Sequence, residues 1–313
     1  MSFIEAIKQE ARSLGFDAVG IASVAPGPSA VDLLDRLQEW LRRGYQGTMA
    51  WMARDPARRA DPQAVLPGCR SVIAVGMNYD TGQRASEGKG HGRVARYAWG
   101  ADYHRIVGDR LARLEAKLRQ LAPEAQSRYY VDTGPVMEKA WAQQAGLGWI
   151  GKHSNLVSSD YGSWLVLGEI LTTLDLLPDV PATDLCGNCS LCIQACPTQA
   201  ITEPYVVDAT RCISYLTIEF RGDRGEIPND LAARMGNRVF GCDDCLDVCP
   251  FNLQADPTTE SAFSPDDSTL APRLDDLAAL DEAHFAERFR QSPIRRATWR
   301  GLQRNVAIAQ ENQ

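Results

Sequence analysis

Eight of the nine cysteines fall into two short runs, each closed by Cys-Pro, together with one cysteine just upstream of the second. The first run is Cys186-Gly-Asn-Cys189-Ser-Leu-Cys192-Ile-Gln-Ala-Cys196-Pro197. The second is Cys242-Asp-Asp-Cys245-Leu-Asp-Val-Cys249-Pro250, with Cys212 before it. The first matches the bacterial loop C-x2-C-x2-C-x3-C-P that holds a [4Fe–4S] cluster. One tight loop can offer three thiolates to a cubane. The fourth is carried off by the following helix and, in two-cluster proteins, serves the other cluster. The rule predicts crossed ligation: Cys186, Cys189, Cys192 and Cys249 for one cluster, and Cys242, Cys245, Cys196 and Cys212 for the other. Cys212 stands in for the missing first member of the second run. Paired C-x2-C also suits structural zinc, but zinc needs neither the third cysteine nor the proline. A chain built this way carries electrons.

The 313 residues suit about two domains, and no stretch reaches the roughly 18 apolar residues of a membrane span. The N-terminus, Ser2-Phe3-Ile4-Glu5-Ala6, lacks signal-peptide features. Cluster spacing rather than a disulfide framework points to the reducing cytoplasm. Cys69, outside both runs, reads as a buried thiol. A net charge of −7 argues against nonspecific nucleic-acid binding by the whole surface. Yet Arg288, Arg290, Arg295, Arg296, Arg300 and Arg304 follow one another with no acid between, and Arg221, Arg224, Arg234 and Arg238 lie between the cysteine runs. Such local patches suit selective RNA contact, or simply a solvated helix face.

Periodicity predicts helices at 3–14, 30–43, 104–121 and 135–145, and strands at 16–22, 71–77, 127–131 and 164–171. The stretch 80–92 reads as a loop. Alternating strands and helices indicate an α/β domain over 1–175. A two-cluster ferredoxin-like module is expected over 176–255. Residues 256–276 read as a surface connection, and a short helical C-terminus completes 256–313.

No dinucleotide-binding glycine turn or Walker sequence is present. Asp132 stands at the carboxyl end of a strand, where α/β sheets place ligand-contacting groups. Shielded by Tyr129, Tyr130 and tryptophans, it would hold a raised pKa and donate a proton; alternatively it caps a helix starting near Pro135. Gly146, Gly148 and Gly151 would let the backbone approach a large flat ligand.

With these segments in view, the chain resembles the epoxyqueuosine reductases, cobalamin-dependent iron–sulfur enzymes of tRNA modification. The resemblance runs in order through Arg96-Tyr-Ala-Trp-Gly-Ala-Asp-Tyr103, Val131-Asp-Thr-Gly-Pro135, Gly148-Trp-Ile-Gly-Lys152, both cysteine runs, Tyr215-Leu-Thr-Ile-Glu219, Ser292-Pro-Ile-Arg-Arg296 and Arg304-Asn305. It implies an N-terminal α/β cobalamin-binding domain ahead of the two-[4Fe–4S] module. It also implies reduction of the epoxide of epoxyqueuosine in tRNA to the alkene of queuosine, by two electrons and two protons with loss of water. Cobalamin, reduced through the clusters, would attack an epoxide carbon, and Asp132 would be the acid. Arg59, Tyr97, Asp132, Ser154, Asn155 and Glu169 lie in segments similar to the family's cobalamin contacts, and Ser214 would face the cofactor. Arg221, Arg224, Arg295 and Arg296 would meet phosphates of the anticodon stem-loop. The chain ends without the helical-repeat extension that some members carry. The resemblance implies an external electron donor, and a monomer is expected. A corrinoid reductive dehalogenase, a flavin-dependent reductase with a ferredoxin domain, and a pure electron-transfer protein are the competing readings.

Overall fold

The structure, a computed structural model, describes residues 2–24, 28–85 and 88–313. Positions 86 and 87 of the loop expected at 80–92 lie outside the described residues.

Four strands form the central sheet: β1 (Ala18–Ser23), β2 (Ser71–Asn78), β3 (Ser127–Tyr130) and β4 (Leu165–Thr172). Their order is β1-β2-β4-β3. The helices used below are α1 (Phe3–Ser13), α2 (Pro28–Arg42), α3 (Tyr103–Leu121), α4 (Glu138–Gln144) and, at the C-terminus, α5 (Thr298–Glu311). Every residue of β2 is buried, so the sheet is covered on both faces. Ile73, Val75 and Met77 share a cluster with Ile7 and Ala11 of α1 and Val107, Leu111, Leu114 and Leu118 of α3. Val72 and Ala74 share another with Trp141 and Ala142 of α4. Successive strand residues point to opposite faces, so a one-residue slip would exchange these two sets of partners.

Every pairing in this sheet is antiparallel: β1 with β2, β2 with β4 and β3 with β4. The alternation of strands and helices therefore misleads if read as a doubly wound parallel sheet. Periodicity specifies the kind of element, while strand direction follows from which edges meet. The expected helix from Pro135 begins instead at Glu138, with Met137 at its cap position. Asp132 is thus not its N-cap. Gly134, which precedes the helix, leaves no room for a side chain, since an added Cβ would lie 2.5 Å from the Tyr130 ring.

The stretch 256–276 is also more than a surface connection. The Asp256 carbonyl accepts the Asn78 side-chain amide at 2.7 Å, Glu260 pairs with Arg110, and Phe263 is buried in the sheet's core. The Thr269 hydroxyl donates to the Trp99 carbonyl at 2.7 Å. This strap brings the C-terminal segment onto the 94–104 segment. There Val94, Trp99, Val239 and Phe240 share a core with Phe285, Phe289, Leu302 and Val306. Among the described residues no helix is long and apolar enough to cross a membrane. Cys69 is fully buried, as expected, with its thiol 3.5 Å from the Ser71 carbonyl.

Candidate active site

Asp132 follows β3 in a turn that gives it a φ of +53°, a conformation that Asp and Asn adopt more readily than most residues. Its Oδ2 lies 3.2 Å from Nε2 of His104, whose Nδ1 lies 2.7 Å from Oδ1 of Asp102. Asp102 also caps α3, accepting the His104 backbone N–H at 3.0 Å. One imidazole is therefore held between two carboxylates, and the Tyr103 ring stacks on it at 4.1 Å. Burial disfavours the charged imidazole, but the hydrogen bonds to Asp102 and Asp132, with their charges, outweigh it and carry His104 up to about 9. Burial pushes the Asp132 carboxyl up, yet His104, the Tyr103 hydroxyl and the Lys139 ammonium hold it below the usual aspartate value.

This reverses the raised pKa expected for Asp132. The aromatic shield is incomplete, since Tyr129 is exposed, and a cation not anticipated from the sequence faces the carboxylate. At neutral pH the proton of the pair resides on His104.

Behind Asp132 lie two further acids. Glu138, at the start of α4, is pushed up to about 7 by burial and then by the Asp132 charge. Glu169 in β4 is 2% exposed, and burial, then Glu138 and Asp132, raise it well above the ordinary range. Its Oε2 and the Trp141 Nε1 are buried without a hydrogen-bond partner. Unsatisfied buried polar atoms cost roughly 1–3 kcal/mol each, and a polar ligand or a water at this place would satisfy them. The amide-rich periphery of a corrinoid fits that requirement.

The other expected cofactor residues are scattered. Tyr97 packs edge-on against Tyr103 at 5.9 Å, and burial, then Asp132, raise its phenol. Lys139 donates to Asn155 Oδ1 at 2.8 Å and to the Ser154 carbonyl at 3.2 Å. The Ser154 hydroxyl is already engaged by the Tyr205 carbonyl at 2.9 Å. Arg59 lies over the Trp51 ring at 4.9 Å, and Ser214 is half-buried in the helix Ile213–Ile218. The space beside two of the glycines is taken by the chain itself. A Cβ at Gly148 would lie 2.2 Å from the Val157 carbonyl oxygen, and one at Gly151 would lie 2.8 Å from the Val157 side chain. They serve chain packing rather than ligand approach.

The thiols gather in two groups. Cys186, Cys189, Cys192 and Cys249 line one cavity with Leu185, Leu191 and Phe251. The Trp149 indole N–H points at Cys186 Sγ at 3.4 Å. Lys152 ties this loop down by donating to the Gly187 and Cys189 carbonyls at 2.6 and 2.8 Å. In the second group Cys245 feels the field of Cys242, Cys212 and Cys196. Arg96 bridges this module to the site: its backbone N–H donates to Asp243 at 2.8 Å, its guanidinium pairs with Asp247, and it stacks on Trp164 at 4.4 Å.

The four arginines expected to meet phosphates differ. Arg295 is exposed. Arg221 donates only to carbonyls, of Ile218, Ala297 and Arg296. Arg224 pairs with Glu311 at 3.0 Å, and Arg296 forms a two-point pair with Glu219 at 2.8 Å and faces Asp132. Arg304 is buried and donates to the Leu216, Phe220 and Gly222 carbonyls. It belongs to the core, and the continuous basic stretch read from the sequence is interrupted there. Reasoning from sequence missed the parts played by His104, Glu138 and Trp141. The available signal was His104 two residues after a capping aspartate.

Comparison with known proteins accords with this geometry. Residues 59–133 match the family model described as "Epoxyqueuosine reductase QueG, DUF1730", and residues 185–252 match a 4Fe-4S double cluster binding domain. The chain is 48% identical over 289 residues to an epoxyqueuosine reductase of Synechocystis sp., covering 92% of this chain and 98% of that protein. It is 43% identical over 310 residues to that of Escherichia coli, covering 98% and 80%. A crystal structure of epoxyqueuosine reductase with an epoxyqueuosine-modified tRNA-Tyr stem loop superposes with a TM-score of 0.91 at 31% identity, covering 99% of this chain and 81% of that one. A Bacillus subtilis epoxyqueuosine reductase with its catalytic loop swung out of the active site gives 0.90 at 30% identity, with coverage of 99% and 81%.

Proposed function

The chain belongs to the epoxyqueuosine reductase family, and on that premise we propose that it reduces epoxyqueuosine in the anticodon loop of tRNA to queuosine, in the cytoplasm, with cobalamin and two [4Fe–4S] clusters. The division into 1–175, 176–255 and 256–313 then assigns the chemistry to the first part, electron delivery to the second and tRNA contact partly to the third. The observation that carries the reading is the Asp102–His104–Asp132 array in a chain that also holds two groups of four cysteines.

When bound, cobalamin would supply the strongly reducing, carbon-directed nucleophile that opening an epoxide requires. Glu169 and Trp141 each carry a buried polar atom without a partner that could hold it, with Arg59, Tyr97, Ser154, Asn155 and Ser214 as further contacts. The chain's own task is the protons. Breaking the epoxide C–O bond leaves an alkoxide, and losing that oxygen as water takes a second proton. His104 stores one proton between the two carboxylates, and Asp132, its neighbour on the open side, passes it to the oxygen. Glu138, pushed up to about 7 behind Asp132, is placed to supply the next.

The sign of the pH dependence follows. Glu138 loses its proton as pH rises through about 7 and the imidazolium is lost above about 9, so turnover should fall in two steps, first through about 7 and then through about 9. Nitrogen-detected NMR of the histidines should place one titration near there, and in Asp132→Asn that titration should move down. His104 titrating near 6.5 in both proteins would remove the array from the mechanism.

For tRNA, Arg295 is exposed, and Arg221 makes no carboxylate hydrogen bond, although the Glu219 charge acts on it. Arg224 is held by an exposed pair, a kind worth about 0–1 kcal/mol, which a phosphate can displace. Arg295→Ala should weaken binding uniformly across stem-loop sequences and reduce the salt slope by about 1; an unchanged slope would place the RNA elsewhere.

The reading as a whole is tested by anaerobic turnover with reconstituted clusters, cobalamin, a strong reductant and epoxyqueuosine tRNA. Nucleoside mass spectrometry should show loss of one oxygen, dependent on cobalamin. No product from fully loaded protein would point to a different corrinoid substrate.

A further inference from the structure

The two cysteine groups sit in different surroundings. Cys245 packs against the core of the central sheet, and Cys212 and Cys242 pack against the apolar cluster around Leu216 and Met235. This group is also the one bridged to the site, through Asp243 and Arg96. In the other group Cys189 is exposed. Around it stand Leu185 and Leu191, which line the same cavity and are 54% and 46% exposed. Leu253, two residues beyond the cavity-lining Phe251, is 70% exposed.

Exposed leucines gathered at one place on a soluble protein mark an interaction site. The charges beside these are occupied from within. Lys152 is spent on the Gly187 and Cys189 carbonyls, and Asp184 accepts the Tyr205 hydroxyl at 2.5 Å and the Cys186 N–H at 2.7 Å. A phosphate backbone finds no free cation among these residues, so this is not a second RNA face. What lies under the leucines is a group of four thiols suited to a redox centre, and the reaction consumes two electrons that the chain does not itself generate.

We propose that electrons enter at Cys189, and that Leu185, Leu191 and Leu253 form the docking collar for a small one-electron carrier protein. The inference rests on reading the thiols as cluster ligands. In each docking event the reduced carrier would lose one electron to the cluster that Cys186, Cys189, Cys192 and Cys249 would hold, the group held by Cys196, Cys212, Cys242 and Cys245 would relay it toward the site, and two events would supply one turnover. A collar of a few apolar side chains suits the small, short-lived interfaces of redox partners, typically under about 1,200 Å². Because its charges are internally paired, association should depend little on salt, unlike the tRNA face.

The test compares Leu185→Glu and Leu253→Glu with the unaltered chain, each carrying reconstituted clusters verified by iron content. Stopped-flow absorbance follows cluster reduction by photoreduced flavodoxin, by a reduced [4Fe–4S] ferredoxin, and by dithionite, without tRNA or cobalamin. At least a tenfold fall in the second-order rate with a carrier protein is expected in both variants, with the dithionite rate unchanged. Carrier rates equal to those of the unaltered chain overturn the proposal. So does an equal loss with dithionite, which would mean a damaged cluster, and so does failure of both carriers to reduce the unaltered chain. If no clusters assemble, the ligand reading falls first, and iron content shows this before any carrier is added.

Discussion

Asp132→Asn should retain iron and cobalamin and lose turnover by about 10²- to 10⁴-fold, the usual contribution of a positioned acid or base. The substitution is nearly isosteric, and Asn tolerates the +53° φ of this turn as well as Asp does. The backbone therefore has no reason to move. What changes is charge. The Oδ2 that faces His104 at 3.2 Å becomes part of a neutral amide, the imidazolium loses one of its two carboxylates, and its pKa falls. The site loses both the group that delivers the proton and part of the field that stores it. At about 1.4 kcal/mol per factor of ten, the loss corresponds to about 3–5 kcal/mol of barrier. His104→Gln makes a useful companion: it removes the store and leaves the carboxylate, so its loss should shrink at low pH, where Asp132 can be protonated directly. A near-normal rate for Asp132→Asn across pH would end the proton-delivery role.

Cys212→Ala should lower iron from about eight atoms per chain by up to about one cluster's worth, because it leaves one iron of the second cluster without its protein thiolate. Cys212 stands 30 residues before the second run, at the cap position of the helix Ile213–Ile218. Its neighbours in the fold are Cys196, from the first run, and Cys242, from the second. Cys249→Ala tests the crossing itself. Under crossed ligation it removes the cluster held by Cys186, Cys189 and Cys192, and leaves the one near the site. The spectrum of the surviving cluster should therefore differ between the two variants. Identical survivors would show that each run keeps its own cluster, and unchanged iron in Cys212→Ala would dismiss that residue as a ligand.

How much of this was legible beforehand differs from residue to residue. The two cysteine runs come from spacing within loops of about ten residues, where backbone reach decides which thiols can share a centre, and the crossed scheme adds the rule that the fourth cysteine of a run serves the other cluster. The main helices and strands of the first part come from periodicity of the same short range. The helix expected at Pro135 begins three residues later, at Glu138, after a turn whose Gly134 sits against Tyr130. Arg304 looked like one of a row of surface cations, and is instead a buried donor to three carbonyls about 80 residues away.

By itself, then, the sequence determined the thiol count, the kinds of element and the order of the family's motifs, since each depends on neighbours along the chain. Only the tertiary structure decided the antiparallel direction of the sheet, the strap at 256–276, which thiol group faces solvent, and where the active-site proton resides. These depend on contacts through space. His104 and Asp132 are 28 residues apart in sequence, and the balance between burial and a facing charge, which sets a pKa, exists only once the chain has brought them together.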